Sequence, residues 1–332
     1  MKKMLSITLI FMVLTSTLIF ATGQAEVVND GSTRVGVSKF LSHPALDSVE
    51  EGMKDYLNDN GYNVTYDFQN ANAEASAAAQ IAQKFKSDKV DIAVGIATPT
   101  AQALVNALGS TPVVFSAVTD PQAAGLVPYF EAGYKDMVTG VSDMIPVEAQ
   151  IKLLVELTGA KTVGNIYASG EANGVILMEM AQQACKNLGV AFVTSAVANT
   201  SEVMSATQAI IGRVDALYIA TDNTVISALP SIDDVANKAG VPLMSADPSG
   251  VDGLNFLVAM GFDYYKIGKA TGKVVAQIID GKTPGEIGTV FLAEPSDFEL
   301  WLNLDVAKKL GITIPSSLLD EAAAIYENGK RK

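Results

Sequence analysis

The sequence predicts an α/β protein built as two similar doubly wound parallel-sheet lobes, joined by a hinge of several strands with a ligand cleft between them. Two observations lead there. Short apolar strands alternate with amphipathic helical stretches along the chain. The order of these signals also occurs twice. A chain of 332 residues, 49% hydrophobic and 18% charged, is long enough and apolar enough for two cores.

The chain opens with Lys2 and Lys3, an apolar run from Met4 to Phe20, and the small residues of "ATGQA". A basic start, an apolar middle and small residues at the end are the pattern of a secretory signal peptide, here residues 1–25 with cleavage near Ala25. The competing reading is an uncleaved anchor, since the run is near the lower limit for spanning a bilayer. No cysteine stands at the cleavage point to carry a lipid, and no later segment is apolar enough to span. The mature protein is therefore expected to be exported to the periplasm or cell envelope and not to cross the membrane.

The repeat follows. "TRVGVSKF" (33–40) has its counterpart in "KTVGNIYA" (161–168). "LNDNGYNVTYDFQNAN" (57–72) pairs with "CKNLGVAFVTSAVANT" (185–200), each a helix closed by Gly61 or Gly189 before a strand. "KVDIAVGIATPT" (89–100) pairs with "RVDALYIATDNT" (213–224), and "TPVVFSAVTDP" (111–121) with "VPLMSADPSG" (241–250). Each match is weak alone, but all keep the same order at a spacing of about 130 residues. Lobe 1 is read as residues 32–143, completed by about 262–293. Lobe 2 is read as 144–261, completed by part of 294–332, including the strand "FELWLN" (298–303). A strand that returns after the second lobe implies several crossings, hence a hinge.

Ligands of open parallel sheets sit beyond the carboxyl ends of the strands, so the repeats also name the cleft residues. Lobe 1 offers Phe40 and His43, then Thr98, Pro99 and Thr100, then Ser116, Ala117, Thr119 and Asp120. Lobe 2 offers Tyr167, Glu171 and Asn173, then Thr221, Asp222 and Asn223, then Asp247. Helices beginning at Pro44 and Pro99 would point free N–H groups at an anion. Asp222, Asp247 and Glu171 on the other wall suit an ammonium. Anion donors facing acids are what a zwitterionic amino acid requires. Plainer roles compete: Ser42 and Thr98 as helix caps, Asp120 before Pro121 and His43 before Pro44 as turn residues, and "ASGEANG" as an ordinary loop.

Composition narrows the function further. The formal charge of −13 becomes two units more negative once Lys2 and Lys3 are removed, which disfavours nucleic acid as a partner. The single cysteine, Cys185, forms no internal disulfide and reads as a buried small hydrophobe in "MEMAQQACKNLG". With His43 the only histidine, and no nucleotide-loop, nucleophile-elbow or metal-ligand spacing, no cofactor, metal or catalytic residue is assigned. A Ser116/Asp120 pair would lack a base unless His43 supplied it.

At this level of detail the chain resembles a known family. "SKFLSHPALDSVEEGMKDYL", "IATPTAQAL", "PVVFSAVTDPQAAGLV", "TGVSDMIPVEAQIKLL", "IYASGEANG", "ALYIATDNTV" and "GFDYYKIGKATGKVVAQIIDGKTP" are similar to ABC-transporter substrate-binding proteins of the TrpX type, over about Arg34 to Pro315. The resemblance implies a type I periplasmic-binding fold. Its function would be to close on an aromatic amino acid (tryptophan, phenylalanine or tyrosine) and dock on a permease driven by an ATPase, as a monomer. Carried over, Thr98, Ser116 and Thr119 with nearby N–H groups would take the carboxylate, and Asp222 with Asp247 the ammonium. Phe40, His43 and Pro99 would line the side-chain pocket. One departure stands out: where the family loop reads acid-x-Asn-Ser, this chain has Gly174 after Glu171-Ala172-Asn173, losing either a ligand contact or a helix cap. An exported sensor for another small polar ligand, or a hydrolase using the same cleft, are the alternatives.

Overall fold

The computed structural model describes residues 31–332, and the signal-peptide assignment for 1–25 lies outside them. The first stretch runs β1 (Thr33–Lys39), α1 (Pro44–Asp59), β2 (Val64–Asn70), α2 (Ala75–Asp88), β3 (Ile92–Ile96), α3 (Thr98–Ala107), β4 (Val113–Val118) and β5 (Val138–Ser142). The second repeats this order. After α4 (Val147–Thr158) come β6 (Thr162–Ala168), α5 (Ala172–Asn187), β7 (Ala191–Val197), α6 (Val203–Ile211) and β8 (Ala216–Ile219). Short α7 (Asn223–Ile226), α8 (Leu229–Ala239), β9 (Leu243–Ser245) and β10 (Val258–Phe262) complete it. The tail holds α9 (Tyr264–Ile279), α10 (Pro284–Ile287), β11 (Thr289–Phe291), β12 (Phe298–Asn303), α11 (Leu304–Leu310), α12 (Ser316–Glu321), β13 (Ala324–Glu327) and β14 (Lys330–Arg331).

The sheets make the internal repeat explicit. Strand order is β11-β5-β4-β3-β1-β2 in one and β14-β13-β12-β10-β9-β8-β6-β7 in the other. From the edge inward, 2-1-3-4-5 in the first lobe is matched strand for strand by 7-6-8-9-10 in the second. The aligned segments read in the sequence are these paired strands: β1 with β6, β2 with β7, β3 with β8 and β4 with β9. The first sheet is parallel throughout. The second is not: β12 runs antiparallel to β10, and β14 antiparallel to β13. The returning chain enters that sheet from the hinge side, so it can pair with β10 only in reverse.

Residue choice follows position in the sheet. The inner strands β3 ("IAVGI"), β4 ("VVFSAV") and β5 ("VTGVS") are buried along their whole length, as covering both faces with helices demands. The edge strands β2 and β7 carry polar residues and stay partly exposed. Gly140 lies against Phe115, where any Cβ would overlap the Phe115 carbonyl, so β4 and β5 owe their close fit partly to that glycine.

The chain crosses between lobes after β5, after β10 and after β11. Each of the first two crossings exchanges a helix. α4 leaves the first lobe and packs against α5 of the second, whereas α9 leaves the second and packs against α1 of the first. The α1–α9 contact is backbone-close. Gly52 faces the carbonyl of Tyr265, Gly268 that of Val49, and a Cβ on Gly272 would come 2.7 Å from Tyr56 Cβ. Among the described residues no helix is long and apolar enough to cross a membrane.

Candidate functional site

Both sheets direct the carboxyl ends of their inner strands at a narrow cavity, with a volume of about 10 Å³ open to a water-sized sphere. His43, Leu46, Ala117 and Thr119 line it from the first lobe. Asn173, Thr221, Asp222, Asn223, Ile226 and Asp247 line it from the second. Asp143 and Tyr264, the first residues beyond β5 and β10 apart from Asp263, close it at the hinge. The strand ends here are shaped by unusual backbone. Ala97 at the start of α3 has φ 79° and Ala117 in β4 has φ 52°, and the β4–β5 register shifts between Ser116 and Val118. Positive φ at alanine is costly, so the surrounding structure must hold both turns in place.

The cavity is acidic. Asp143, Glu171, Asp222 and Asp247 are each at most 4% exposed, and no lysine or arginine lines the space. Each carboxylate is held differently. Asp143 accepts the Tyr264 hydroxyl at 2.9 Å and that of Thr119 at 3.4 Å. Burial pushes Asp143 up to about 6, against the pull of those two hydroxyls. Asp222 accepts the N–H groups of Ala168 at 2.6 Å and Val225 at 3.1 Å, the second as N-cap of α7. Burial, with the Glu171 charge behind it, pushes Asp222 up to about 8. Glu171 ties the two loops of the second lobe together by accepting from Asn223 Nδ2 at 2.6 Å and from Thr224 N–H and hydroxyl at 2.9 and 2.6 Å. Asp247 is the exception. One oxygen takes the Ser249 N–H and hydroxyl at 2.9 and 2.6 Å, and the other is uncommitted.

Some buried polar atoms without partners lie on this cavity: both ring nitrogens of His43, the Thr221 hydroxyl and the side-chain carbonyl of Asn173, whereas those of Ser38, Tyr66, Thr98 and Thr289 do not line it. The Asn173 amide N–H is already spent on the Thr221 carbonyl at 3.2 Å, which leaves its oxygen as an acceptor. Buried groups are ordinarily paired, so these orphans are free to bond to whatever enters the cavity. Among the described residues, no group of three or more His, Cys, Asp or Glu side chains is placed to hold a metal ion.

Of the residues singled out in the sequence, His43, Ala117, Thr119, Asn173, Thr221, Asp222, Asn223 and Asp247 line the cavity. The others stand off it. Ser116 is turned into the lobe, its hydroxyl 2.6 Å from that of Thr271 on α9. Thr100 bonds back to the Ile96 and Ala97 carbonyls at 2.8 and 3.0 Å. Asp120 accepts the N–H groups of Gln122 and Ala123, so it builds the turn after β4. Phe40 is a core residue, and Thr98 and Pro99 open α3 behind the strained Ala97. Tyr167 is half-buried on β6. Glu171 works from behind, on Asn223 and Thr224.

Asp143, Tyr264, Leu46 and Ile226 were not read from the sequence. Asp143 and Tyr264 obey the same strand-end rule as the rest, applied to the fifth strand of each lobe. Leu46 and Ile226 carry no signal that separates them from core. Gly174 also receives an explanation: a Cβ there would overlap Asp222 Oδ2. The glycine lets the Asp222 carboxylate reach the Ala168 N–H over the first turn of α5.

Comparison with known proteins agrees with this architecture. The family model described as "ABC transporter substrate binding protein" matches residues 34–326. A tyrosine-binding protein of Clostridioides difficile (strain R20291) is 34% identical over 281 residues, covering 83% of this chain and 80% of that one. The ABC domain of a Streptococcus pneumonia protein in complex with L-Trp is 33% identical, with a TM-score of 0.84 over 89% of this chain and 99% of that one. The ligand-free, open structure of a substrate binding protein with adhesive properties from Clostridium difficile is 31% identical, with a TM-score of 0.66 over 90% of this chain and 100% of that one. With a family match running from β1 to β13, the chain belongs to the ABC transporter substrate-binding proteins.

Proposed function

We propose that the protein, exported by its leader, captures an aromatic amino acid (tryptophan, phenylalanine or tyrosine) between its lobes and delivers it to an ABC permease. The observation that carries this is the uncommitted oxygen of Asp247 in a closed, cation-free cavity ringed by unpartnered polar atoms. An ammonium at Asp247, with the Asn173 oxygen and the Asp143 charge beside it, compensates buried negative charge that has no cation of its own. The hydroxyl of Thr221, with the N-terminal N–H groups of α1 and α5, serves the carboxylate. Leu46 and Ile226, one from each lobe, flank the side chain. Asp222 shapes the wall, because its oxygens are already engaged by the backbone.

Two likenesses support the reading. One relative is described as tyrosine-binding and another was solved with L-Trp. At similar identity, the chain fits that tryptophan complex (TM-score 0.84) better than the ligand-free, open relative (0.66), as a lobe arrangement closed on a ligand would. Every ion pair among the described residues lies within one lobe or at the hinge, so no ion pair holds the cleft shut. Binding, not catalysis, suits a site whose candidate nucleophile Ser116 is bonded to Thr271 away from the cavity.

A thermal-shift screen of the mature protein against amino acids, nucleosides and sugars tests this. At a ligand concentration ~100 times its dissociation constant, the stabilisation is about 2.7 kcal/mol. A shift with aromatic amino acids is expected. A shift with sugars or nucleosides alone overturns the ligand class.

A further inference from the structure

We propose that His43 reads the polar hydrogen of the ligand's aromatic ring, so that the site selects tyrosine or tryptophan over phenylalanine. This rests on the aromatic amino-acid reading above and sharpens it. His43 occupies the N-cap position of α1, where Ser, Thr, Asp or Asn would normally satisfy a free N–H, yet its side chain makes no capping bond. Ser42 does not take over, since its hydroxyl is on Asp47 at 2.8 Å. Helix architecture therefore gives the imidazole no task.

The ring lines the cavity with Leu46, Ile226 and Asn223; both of its nitrogens are buried, neither makes a hydrogen bond of normal geometry, and the Asn223 amide is the one polar side chain close enough to pull on either. Burial drives its pKa down, against the opposing pull of the Asp247 charge, so the imidazole is neutral and keeps one lone pair. A buried lone pair accepts from a phenol O–H or an indole N–H. It can make nothing with a phenyl ring. The ammonium has better partners in Asp247 and Asp143. The carboxylate gains little from one neutral N–H near the charges of Asp247 and Glu171. The ring edge of the ligand is the remaining group that fits.

A site built to hydrogen-bond one donor discriminates against the isostere that lacks it, because its own buried atom is left unpaired. For one such bond the expected ratio is about tenfold to a hundredfold. The test is isothermal titration of the full mature protein with L-tyrosine, L-tryptophan and L-phenylalanine, on wild type, His43→Leu and His43→Gln. Wild type is expected to favour tyrosine or tryptophan over phenylalanine by about tenfold or more. His43→Leu should bring the ratio close to one, and His43→Gln, which keeps an acceptor, should retain some of it. A preference that survives His43→Leu, or a wild type that binds phenylalanine as tightly as the others, overturns the role of His43 while leaving the amino-acid reading in place. Wild type binding none of the three overturns that reading itself.

Discussion

Gly174 and Asp222 occupy one another's space: a Cβ on the first would overlap the second's carboxylate, which holds the Ala168 N–H at 2.6 Å. The pair joins the loop after β6 to the loop after β8, and so fixes the second-lobe wall of the cleft. Substituting Gly174→Ser should expel the Asp222 carboxylate and leave a buried N–H unpaired. A loss of about 1–3 kcal/mol of folding stability is expected, read as a lowered denaturation midpoint. A serine variant as stable as wild type would show that the wall has another way to pack.

The four buried carboxylates should not weigh equally in binding. Asp247→Asn removes the charge with a free oxygen and should weaken amino-acid affinity about a hundredfold or more, the cost of leaving a buried ammonium unpaired. Asp222→Asn alters a group already held by Ala168 and Val225, and its main effect should be on stability. Titration calorimetry on both variants decides between them. A larger affinity loss in Asp222→Asn would return the ammonium to that residue.

Asp143 makes folding and binding depend on pH in opposite senses. Its carboxyl titrates at about 6 in the folded protein against 3.8 ordinarily. Its contribution to stability is full below the unfolded value and is lost as pH rises through the folded one, because the folded state holds a proton that the unfolded state has released. The size is up to about 3 kcal/mol. An ammonium in the cavity favours the ionised form, so ligand affinity should rise between pH 4 and pH 6 with protons released on binding. Calorimetry at pH 6 in buffers of different ionisation enthalpy measures that release. Proton uptake, or an affinity flat across this range, would count against Asp143 as a neighbour of the ammonium.

The α1–α9 contact gives a further structural test. Gly268→Ala pushes a methyl into the Val49 carbonyl and must force apart a pair of helices that meet at their backbones. Overpacking of this kind costs about 1–3 kcal/mol. Because α9 springs from the hinge at Tyr264, ligand affinity should fall as well. Urea unfolding and calorimetry on one preparation report both, and a neutral substitution would mean the helices are looser than their packing indicates.

Much of this was legible in the chain. The paired strands β1/β6, β2/β7, β3/β8 and β4/β9 are the segments whose sequences match, since a repeated fold leaves its strand and turn chemistry in both copies. His43, Thr119, Asp222 and Asp247 could be named because strand-end position alone puts them at the cleft. Direction could not be read. Ser116 and Ala117 are neighbours in β4, and only the backbone irregularity there decides that the first faces Thr271 and the second faces the cavity. Asp143 and Tyr264 were hidden by standing at a crossing, where polar residues are expected for other reasons. The antiparallel pairing of β12 depends on the path of the chain through the hinge, which local pattern does not record.

A cleft that grips both ends of a zwitterion is tested most directly by titrating the mature protein with L-tyrosine or L-tryptophan and, in parallel, with the corresponding amine lacking the carboxylate and the N-acetylated acid. The intact amino acid should bind, and each truncated form should lose about a hundredfold or more in affinity, through the charge left unpaired in a buried site. Equal binding of the amine or the acetylated acid would contradict this grip.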